Sequence, residues 1–125
     1  MIEFGSGIGI VAINEMEKML KTSSEEFLEN IFTAREIAYC TRKRNRAEHF
    51  AARYAAKEAF MKALFPKGMP GVSILDIEID QKEARPLVNL FGKAQDFAKK
   101  EGIKKVHLMM SHDGNYGIAN VVLEM

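Results

Sequence analysis

The chain has 125 residues, which is enough for one compact domain and leaves little surplus for a second core. Its 47% hydrophobic and 28% charged residues can bury a core and still give a solvated surface, unlike a disordered chain. A net charge of +1 excludes the strongly basic field on which non-specific nucleic-acid binding depends, so we expect a single domain over residues 1–125 with no nucleic-acid partner.

The N-terminal segment has the pattern of a strand followed by a helix. Residues 7–13 are small and apolar, which is typical of a buried strand, although the run is too short to exclude other structures. Asn14 can cap a helix, and Met16 and Met19 then recur at helical spacing within residues 15–21. A strand and a short helix are therefore predicted in this order.

Two capping boxes predict two further short helices. Ser23 is followed three residues later by Glu26, and Thr33 is followed in the same way by Glu36. In this motif each of the two side chains accepts a hydrogen bond from the backbone N–H of the other residue. One helix is predicted after Ser23, and another is predicted from Thr33 to about Arg42.

The longest periodic segment covers residues 47–64. Phe50, Tyr54 and Met61 recur there at helical spacing among seven alanines, a composition with high helix propensity. Prolines and glycines at 66–71 then break the pattern. This segment is predicted to be the main helix of the domain.

The rest of the chain favours strands. Residues 74–79 and 86–90 are predicted to be strands, and a helix is predicted over residues 92–100, ended by Gly102. Two β-favouring runs then flank four turn-forming residues and predict a hairpin of strands 105–111 and 116–124. Helices followed by strands indicate an α+β domain with a mostly antiparallel sheet packed on the long helix.

The composition also bears on the compartment. Cys40 is the only cysteine, so the chain can form neither an intrachain disulfide nor a cysteine cluster for zinc. No segment is long and apolar enough to span a membrane, and the N-terminus lacks the pattern of an export signal. We therefore expect a cytoplasmic protein without membrane contact.

The main helix carries a polar cluster formed by Arg53, Lys57, Glu58 and Lys62. The first two are four residues apart, as are the last two, so each pair projects from one patch of the helix. One interpretation is an exposed face with ordinary ion pairs. The other is a phosphate and metal site, in which lysines hold phosphate oxygens and a carboxylate binds Mg²⁺. Periodicity alone does not choose between them.

Residues 54–64 read YAAKEAFMKAL, which resembles the aromatic-x-x-Lys-Glu-Ala-x-x-Lys-Ala signature of the holo-acyl-carrier-protein synthases in the 4′-phosphopantetheinyl transferase family. Other segments stand in the order of that family: a glycine-rich first strand, FTAREIAYC at 32–40, DIEI at 76–79 and HLMMSHD at 107–113. The resemblance spans nearly the whole chain, and the combined order is more specific than any single segment.

This resemblance implies transfer of the 4′-phosphopantetheine group from coenzyme A (CoA) to a serine of an apo acyl carrier protein, with release of 3′,5′-ADP. It also implies a homotrimer with CoA sites at the subunit interfaces. Glu58 would bind Mg²⁺, and the catalytic residues would be Glu58, Lys62 and His112. The residues implied in CoA binding are Arg53, Lys57, Lys62, Lys67, Ser111 and His112.

The other two histidines are predicted to be structural. His107 lies five residues before His112, so on a regular strand the two side chains face opposite sides. His49 has no partner motif nearby in the sequence.

The sequence departs from the family pattern at the first strand, where Gly9 stands in place of a metal-binding aspartate. Mg²⁺ would then depend on Glu58, the CoA diphosphate and water, and Gly9→Asp is expected to raise Mg²⁺ affinity. Glu15 stands where the family often presents an arginine to the carrier protein, and residues 65–67 replace a Gly-Thr-Gly-like turn. The alternative function is therefore a catalytically weak or inactive protein that binds CoA or a carrier protein.

Overall fold

The computed structural model describes residues 3–64 and 70–125, and these residues form two antiparallel sheets and five α-helices. None of the described helices is both long and apolar enough to cross a bilayer. The elements of the first half are β1 Phe4–Ala12, α1 Ile13–Thr22, α2 Glu25–Glu29, α3 Ala34–Thr41 and α4 Arg46–Lys62. Those of the second half are β2 Ile77–Lys82, β3 Arg85–Leu90, α5 Gly92–Glu101, β4 Lys105–Asp113 and β5 Tyr116–Glu124.

The larger sheet has the order β1-β5-β4, so β1 and β4 are its two edges. Both edge strands pair with β5 in antiparallel register, and Val121 of β5 lies opposite Gly7 on one side and Leu108 on the other. The smaller sheet is the β2–β3 hairpin. The predicted α+β architecture with antiparallel sheets around a long helix is therefore confirmed.

Helix α4 packs against one face of the larger sheet. Alternate β5 residues such as Val121 and Leu123 are fully buried there, together with Ala55 and Ala59 of α4. Small side chains on both elements let the two backbones approach closely. The close contact between β1 and α4, here called the β1–α4 seam, joins three glycines to three alanine carbonyl groups: Gly5 to Ala63, Gly7 to Ala59 and Gly9 to Ala55.

The opposite face of the larger sheet is exposed and mixes large apolar side chains with polar and charged ones. Alternation along the strands places on this face five large side chains that are between 50% and 72% exposed. They are Phe4, Ile8, Ile10, Met109 and Tyr116. His107 also lies on this face, because it pairs with Val122 next to buried Val121 and Leu123.

Several element boundaries differ from the sequence prediction. Strand β1 begins at Phe4 and not at residue 7, and Ala12, not Asn14, is the N-cap of α1. Strand β4 continues to Asp113, two residues beyond its predicted end.

Ser24, and not Ser23, caps α2 by accepting the Phe27 N–H, while Ser23 ends α1. Residues Ile74–Asp76 form a 3₁₀ turn before β2, because the Ser73 hydroxyl accepts the Leu75 N–H and starts the turn. The Thr33 capping box and the left-handed end of α5 at Gly102 are confirmed.

Candidate functional site

Helix α4 divides the predicted site residues between its two sides. Arg53 and Lys62 are nine residues apart, about two and a half turns at 3.6 residues per turn, so they project in opposite directions. The Lys62 Nζ is exposed and donates to the carbonyl of Ile8 on the edge strand β1 at 3.3 Å. Glu58, half-buried, lies one turn before Lys62 on the same side. Glu58 and Lys62 therefore belong to the β1 edge.

Arg53 belongs to the other edge. A cavity of about 190 Å³, here called the Arg53 cavity, lies between α4, α3, β2 and the end of β4. It brings together three of the residues predicted to bind CoA, namely Arg53, Ser111 and His112. The remaining residues of its wall are Tyr39, Glu48, His49, Ala52, Gln81 and Met110.

Arg53 is held in place by residues that the sequence did not single out. Its Nη2 donates to Gln81 Oε1 at 3.3 Å, and the same oxygen accepts the Tyr39 hydroxyl at 2.6 Å. The guanidinium carbon lies 4.0 Å from the centre of the Tyr39 ring, a cation–π contact. Arg53 is only 2% exposed, and its Nε has no hydrogen-bond partner among the described residues. A buried cation with a spare N–H favours an anion in this cavity.

Two histidines lie together at the Arg53 cavity. The His112 Nε2 is 3.9 Å from Glu48 Oε2. His49, predicted to be structural, lines the same wall. Burial lowers the pKa of His49, and the nearby charges of Arg53 and Lys43 lower it further, against the opposing effect of Glu48. His49 is therefore neutral near pH 7 and can respond to a charge that enters the cavity.

Lys57 occupies a different environment from its neighbours. Its Nζ is fully buried and lies 2.7 Å from Glu36 Oε1, and it donates to the carbonyls of Ile31 at 2.9 Å and Ile74 at 3.2 Å. Burial lowers the pKa of Lys57, while Glu36 opposes that shift. An ammonium group has three N–H donors, and all three are engaged. This geometry differs from the expected contact between Lys57 and a CoA phosphate, and it also excludes the exposed-face interpretation for Lys57.

The residues present do not fit a Mg²⁺ site built from two protein carboxylates. Glu58 supplies one carboxylate at the β1 edge, but Gly9 has no room for a second. A Cβ added to Gly9 would overlap the carbonyl oxygen of Ala55 and lie 2.7 Å from its carbonyl carbon. Within residues 3–64 and 70–125, no three His, Cys, Asp or Glu side chains gather as a metal site. Gly9→Asp should therefore cost stability, because the added side chain would meet the helix backbone, and its expected effect on Mg²⁺ affinity stays a prediction.

Glu15 and residues 65–67 are the two other departures from the family pattern. Glu15 is exposed on α1 with its carboxylate 3.9 Å from the Lys18 ammonium, and Lys21 lies 3.4 Å from Glu17 in the same way. This face of α1 therefore carries alternating charges. The predicted CoA ligand Lys67 lies outside the described residues, as does the rest of the 65–67 segment.

His107 lies far from the Arg53 cavity. Its side chain is on the exposed face of the larger sheet, where its Nε2 lies 3.4 Å from Glu124 Oε2. His112 pairs with Gly117, whose Cα packs against Ala51 of α4, and so it faces the helix side. The prediction that the two histidines face opposite sides is confirmed.

The profile of the 4′-phosphopantetheinyl transferase superfamily matches residues 5–121. The holo-[acyl-carrier-protein] synthase of Geotalea daltonii is 40% identical over 97% of this chain and 98% of its own length. That of Geobacter metallireducens is 39% identical over 97% of each chain.

Solved structures of holo-[acyl-carrier-protein] synthases are also similar to this chain. The crystal structure of the Neisseria meningitidis holo-[acyl-carrier-protein] synthase has a TM-score of 0.86 at 29% identity, covering 97% of this chain and 98% of that one. The Helicobacter pylori holo-[acyl-carrier-protein] synthase, in complex with coenzyme A, has a TM-score of 0.80 at 33% identity, covering 94% of this chain and 98% of that one.

Proposed function

The chain belongs to the 4′-phosphopantetheinyl transferase superfamily, and we propose that it transfers the 4′-phosphopantetheine group from CoA to a serine of an apo acyl carrier protein. The observation that carries this proposal is 40% identity to a holo-[acyl-carrier-protein] synthase over 97% of the chain. The complex of the Helicobacter pylori relative with coenzyme A supports CoA as the donor. A cytoplasmic location and a single domain over residues 1–125 stay predictions of the sequence.

The reaction forms a bond between the serine oxygen and one phosphorus of the CoA diphosphate and breaks the bond from that phosphorus to the bridging oxygen. The leaving group is 3′,5′-ADP. Such a step needs an aligned hydroxyl, a group that takes its proton, and positive charge near the phosphate oxygens. We assign the positive charge to Lys62 and Arg53 and the proton transfer to His112, since histidine most often moves protons near neutral pH.

The two halves of this site lie apart within one chain. Lys62 and Glu58 are at the β1 edge of the sheet, whereas Arg53 and His112 are near the β4 edge. With α4 and β5 between them, they do not converge on one diphosphate. A second subunit that brings its β4 edge to the β1 edge of the first would unite them. We therefore propose a homotrimer with one CoA site at each subunit interface.

The exposed face of the larger sheet supports this assembly. Several large apolar side chains exposed on one face are common at protein interfaces. The expected result is a trimer in sedimentation, and Ile8→Glu should shift it to monomers because it buries a charge in the interface. Phe91→Glu is the control, because Phe91 is 49% exposed but lies outside this sheet. A monomeric wild-type protein would contradict the proposal.

The activity is tested directly by incubating the protein with CoA, Mg²⁺ and an apo acyl carrier protein. Mass spectrometry should show the carrier gaining one phosphopantetheine group. If several carriers remain unmodified while the protein still binds CoA, the alternative applies, and the chain is a transferase-like binding protein.

The interface site is tested by mixing two inactive variants. Glu58→Gln damages the half at the β1 edge, and His112→Ala damages the half at the β4 edge. When the two proteins are dissociated and reassembled together at equal concentration, roughly one quarter of the interfaces combine two intact halves. We expect activity to return to that extent. No recovery would mean that Glu58 and His112 act within one subunit.

A further inference from the structure

The β1–α4 seam is closed at the position where the family carries a metal-binding aspartate. A Cβ at Gly9 would lie 2.7 Å from the carbonyl carbon and 2.9 Å from the Cα of Ala55, besides overlapping the carbonyl oxygen. Carbon atoms that touch without strain lie about 3.5–4.0 Å apart. The obstacle is helix backbone, which cannot rotate away as a side chain would. No side chain fits at position 9 while α4 lies where it does.

The seam cannot open at Gly9 alone. A Cβ at Gly7 would lie 2.7 Å from the Ala63 nitrogen, and a Cβ at Gly5 would overlap the Ala63 carbonyl. Gly117 on β5 is equally close, since a Cβ there would lie 2.9 Å from the Ala51 carbonyl carbon. The helix is therefore pressed onto two strands along its length. Withdrawing it to admit a carboxylate at position 9 would break the packing of buried Ala55 and its neighbours.

We propose that residues 3–64 and 70–125 form no divalent-cation site of their own, and that Mg²⁺ binds only together with CoA. Glu58 would then hold the cation from the β1 edge, and the CoA diphosphate and water would supply the remaining ligands. Mg²⁺ retains several waters and is commonly held by one or two carboxylates together with substrate phosphates, so one carboxylate is sufficient. The inference rests on the proposed function, because it requires CoA to bind.

The cation dependence is tested by titrating the wild-type protein with Mn²⁺ and following free Mn²⁺ by electron paramagnetic resonance. Without CoA, no stoichiometric binding is expected; with saturating CoA, one Mn²⁺ per site should bind, and Glu58→Gln should weaken that binding about tenfold. Stoichiometric Mn²⁺ binding to the CoA-free protein that is lost in Glu58→Gln would overturn the inference.

Calorimetry of CoA binding in the presence of EDTA separates this inference from the proposed function. CoA should bind without a metal, because the cations of the site belong to the protein. If CoA binds neither with nor without Mn²⁺, the proposed function fails and the inference fails with it. If CoA binds but Mn²⁺ also binds without it, only the inference fails.

Thermal unfolding tests the closed seam independently of activity. Gly9→Ala and Gly9→Asp should both lower the melting temperature by about 5 °C or more, because the Cβ alone causes the overlap. Ser6→Ala is the matched control, since Ser6 lies on the same strand with its side chain directed away from α4. A Gly9→Asp protein that melts like the wild type would contradict the closed seam. If neither Gly9 variant folds, the closed seam is supported. The Mn²⁺ titration of the wild-type protein then decides whether a cation binds without CoA.

Discussion

The Lys57 ammonium lies 2.7 Å from the Glu36 carboxylate, and both side chains are fully buried. Glu36 also accepts the backbone N–H groups of Thr33 and Ile79, each at 2.8 Å. One carboxylate thus connects the start of α3, the strand β2 and the helix α4. This connection helps to hold α4, which carries the site residues on its two sides.

Breaking the Lys57–Glu36 pair should lower the stability of the fold and should not act directly on the reaction. Lys57→Met leaves a buried carboxylate without its partner, so we expect the free energy of unfolding to fall by about 3–5 kcal/mol. Urea unfolding measures this, and the double variant Lys57→Met/Glu36→Gln should lose less than the sum of the two single variants. A Lys57→Met protein of normal stability with weakened CoA binding would instead make Lys57 a phosphate ligand.

Gln81 should matter for CoA binding through the orientation of Arg53. Gln81→Leu removes the oxygen that accepts from both Arg53 and Tyr39, and we expect about tenfold weaker CoA binding, the size of one lost hydrogen bond to a charged group. Calorimetry measures the dissociation constant. Arg35→Met is the control, because Arg35 contacts Asp80 on the same hairpin outside the cavity. Equal effects of the two variants would indicate general disturbance of the hairpin.

The pKa of His49 should change when an anion enters the Arg53 cavity. The pKa of His49 in the folded chain lies below the ordinary value of 6.5. Below pH 6.5 the unfolded chain therefore binds more protons than the folded chain. The stability associated with neutral His49 is lost as the pH falls through the folded pKa. An anion next to Arg53 should raise the pKa of His49. A titration by nuclear magnetic resonance with and without CoA measures the shift, with exposed His107 as the internal control. Equal shifts at both histidines would contradict the assignment.

Asp80 should contribute to stability in acid. Burial raises its pKa, but hydrogen bonds from the Gln81 N–H, Arg35 and Asn89 outweigh burial, so the pKa lies below 3.8. This contribution is present above about pH 4 and is lost as the pH falls through the lowered value. Melting temperatures of wild type and Asp80→Asn should therefore converge below pH 3 and differ at pH 6. A constant difference across this range would exclude the ionised carboxylate as the cause.

Local patterns were sufficient for most of the fold. The Thr33 capping box and the left-handed Gly102 depend on residues close in sequence, and both are found where predicted. The hairpin of β4 and β5 also forms, with β4 two residues longer than predicted. The choice between Ser23 and Ser24 as the cap of α2 depended on more than the residues next to them. Either serine can cap a helix, and the exact end of α1 decides which one is free to do so.

The candidate site was less accessible to sequence reasoning. Four-residue spacing grouped Arg53 with Lys57 and Glu58 with Lys62, but spacing does not state whether a helix side meets water or protein. The burial of Lys57 depends on Glu36, which is 21 residues away. The sequence showed that Gly9 lacks a carboxylate, and only the packing of α4 shows that the space itself is filled.

Because α4 carries Arg53 on one side and Lys62 on the other, each copy of this helix borders two neighbouring clefts in the proposed trimer. A ligand that tilts the helix in one cleft also moves the wall of the next. The Hill coefficient of CoA saturation therefore measures how stiffly the alanine and glycine packing holds the helix: a value of one means that it stays fixed, and any other value means that the three clefts communicate.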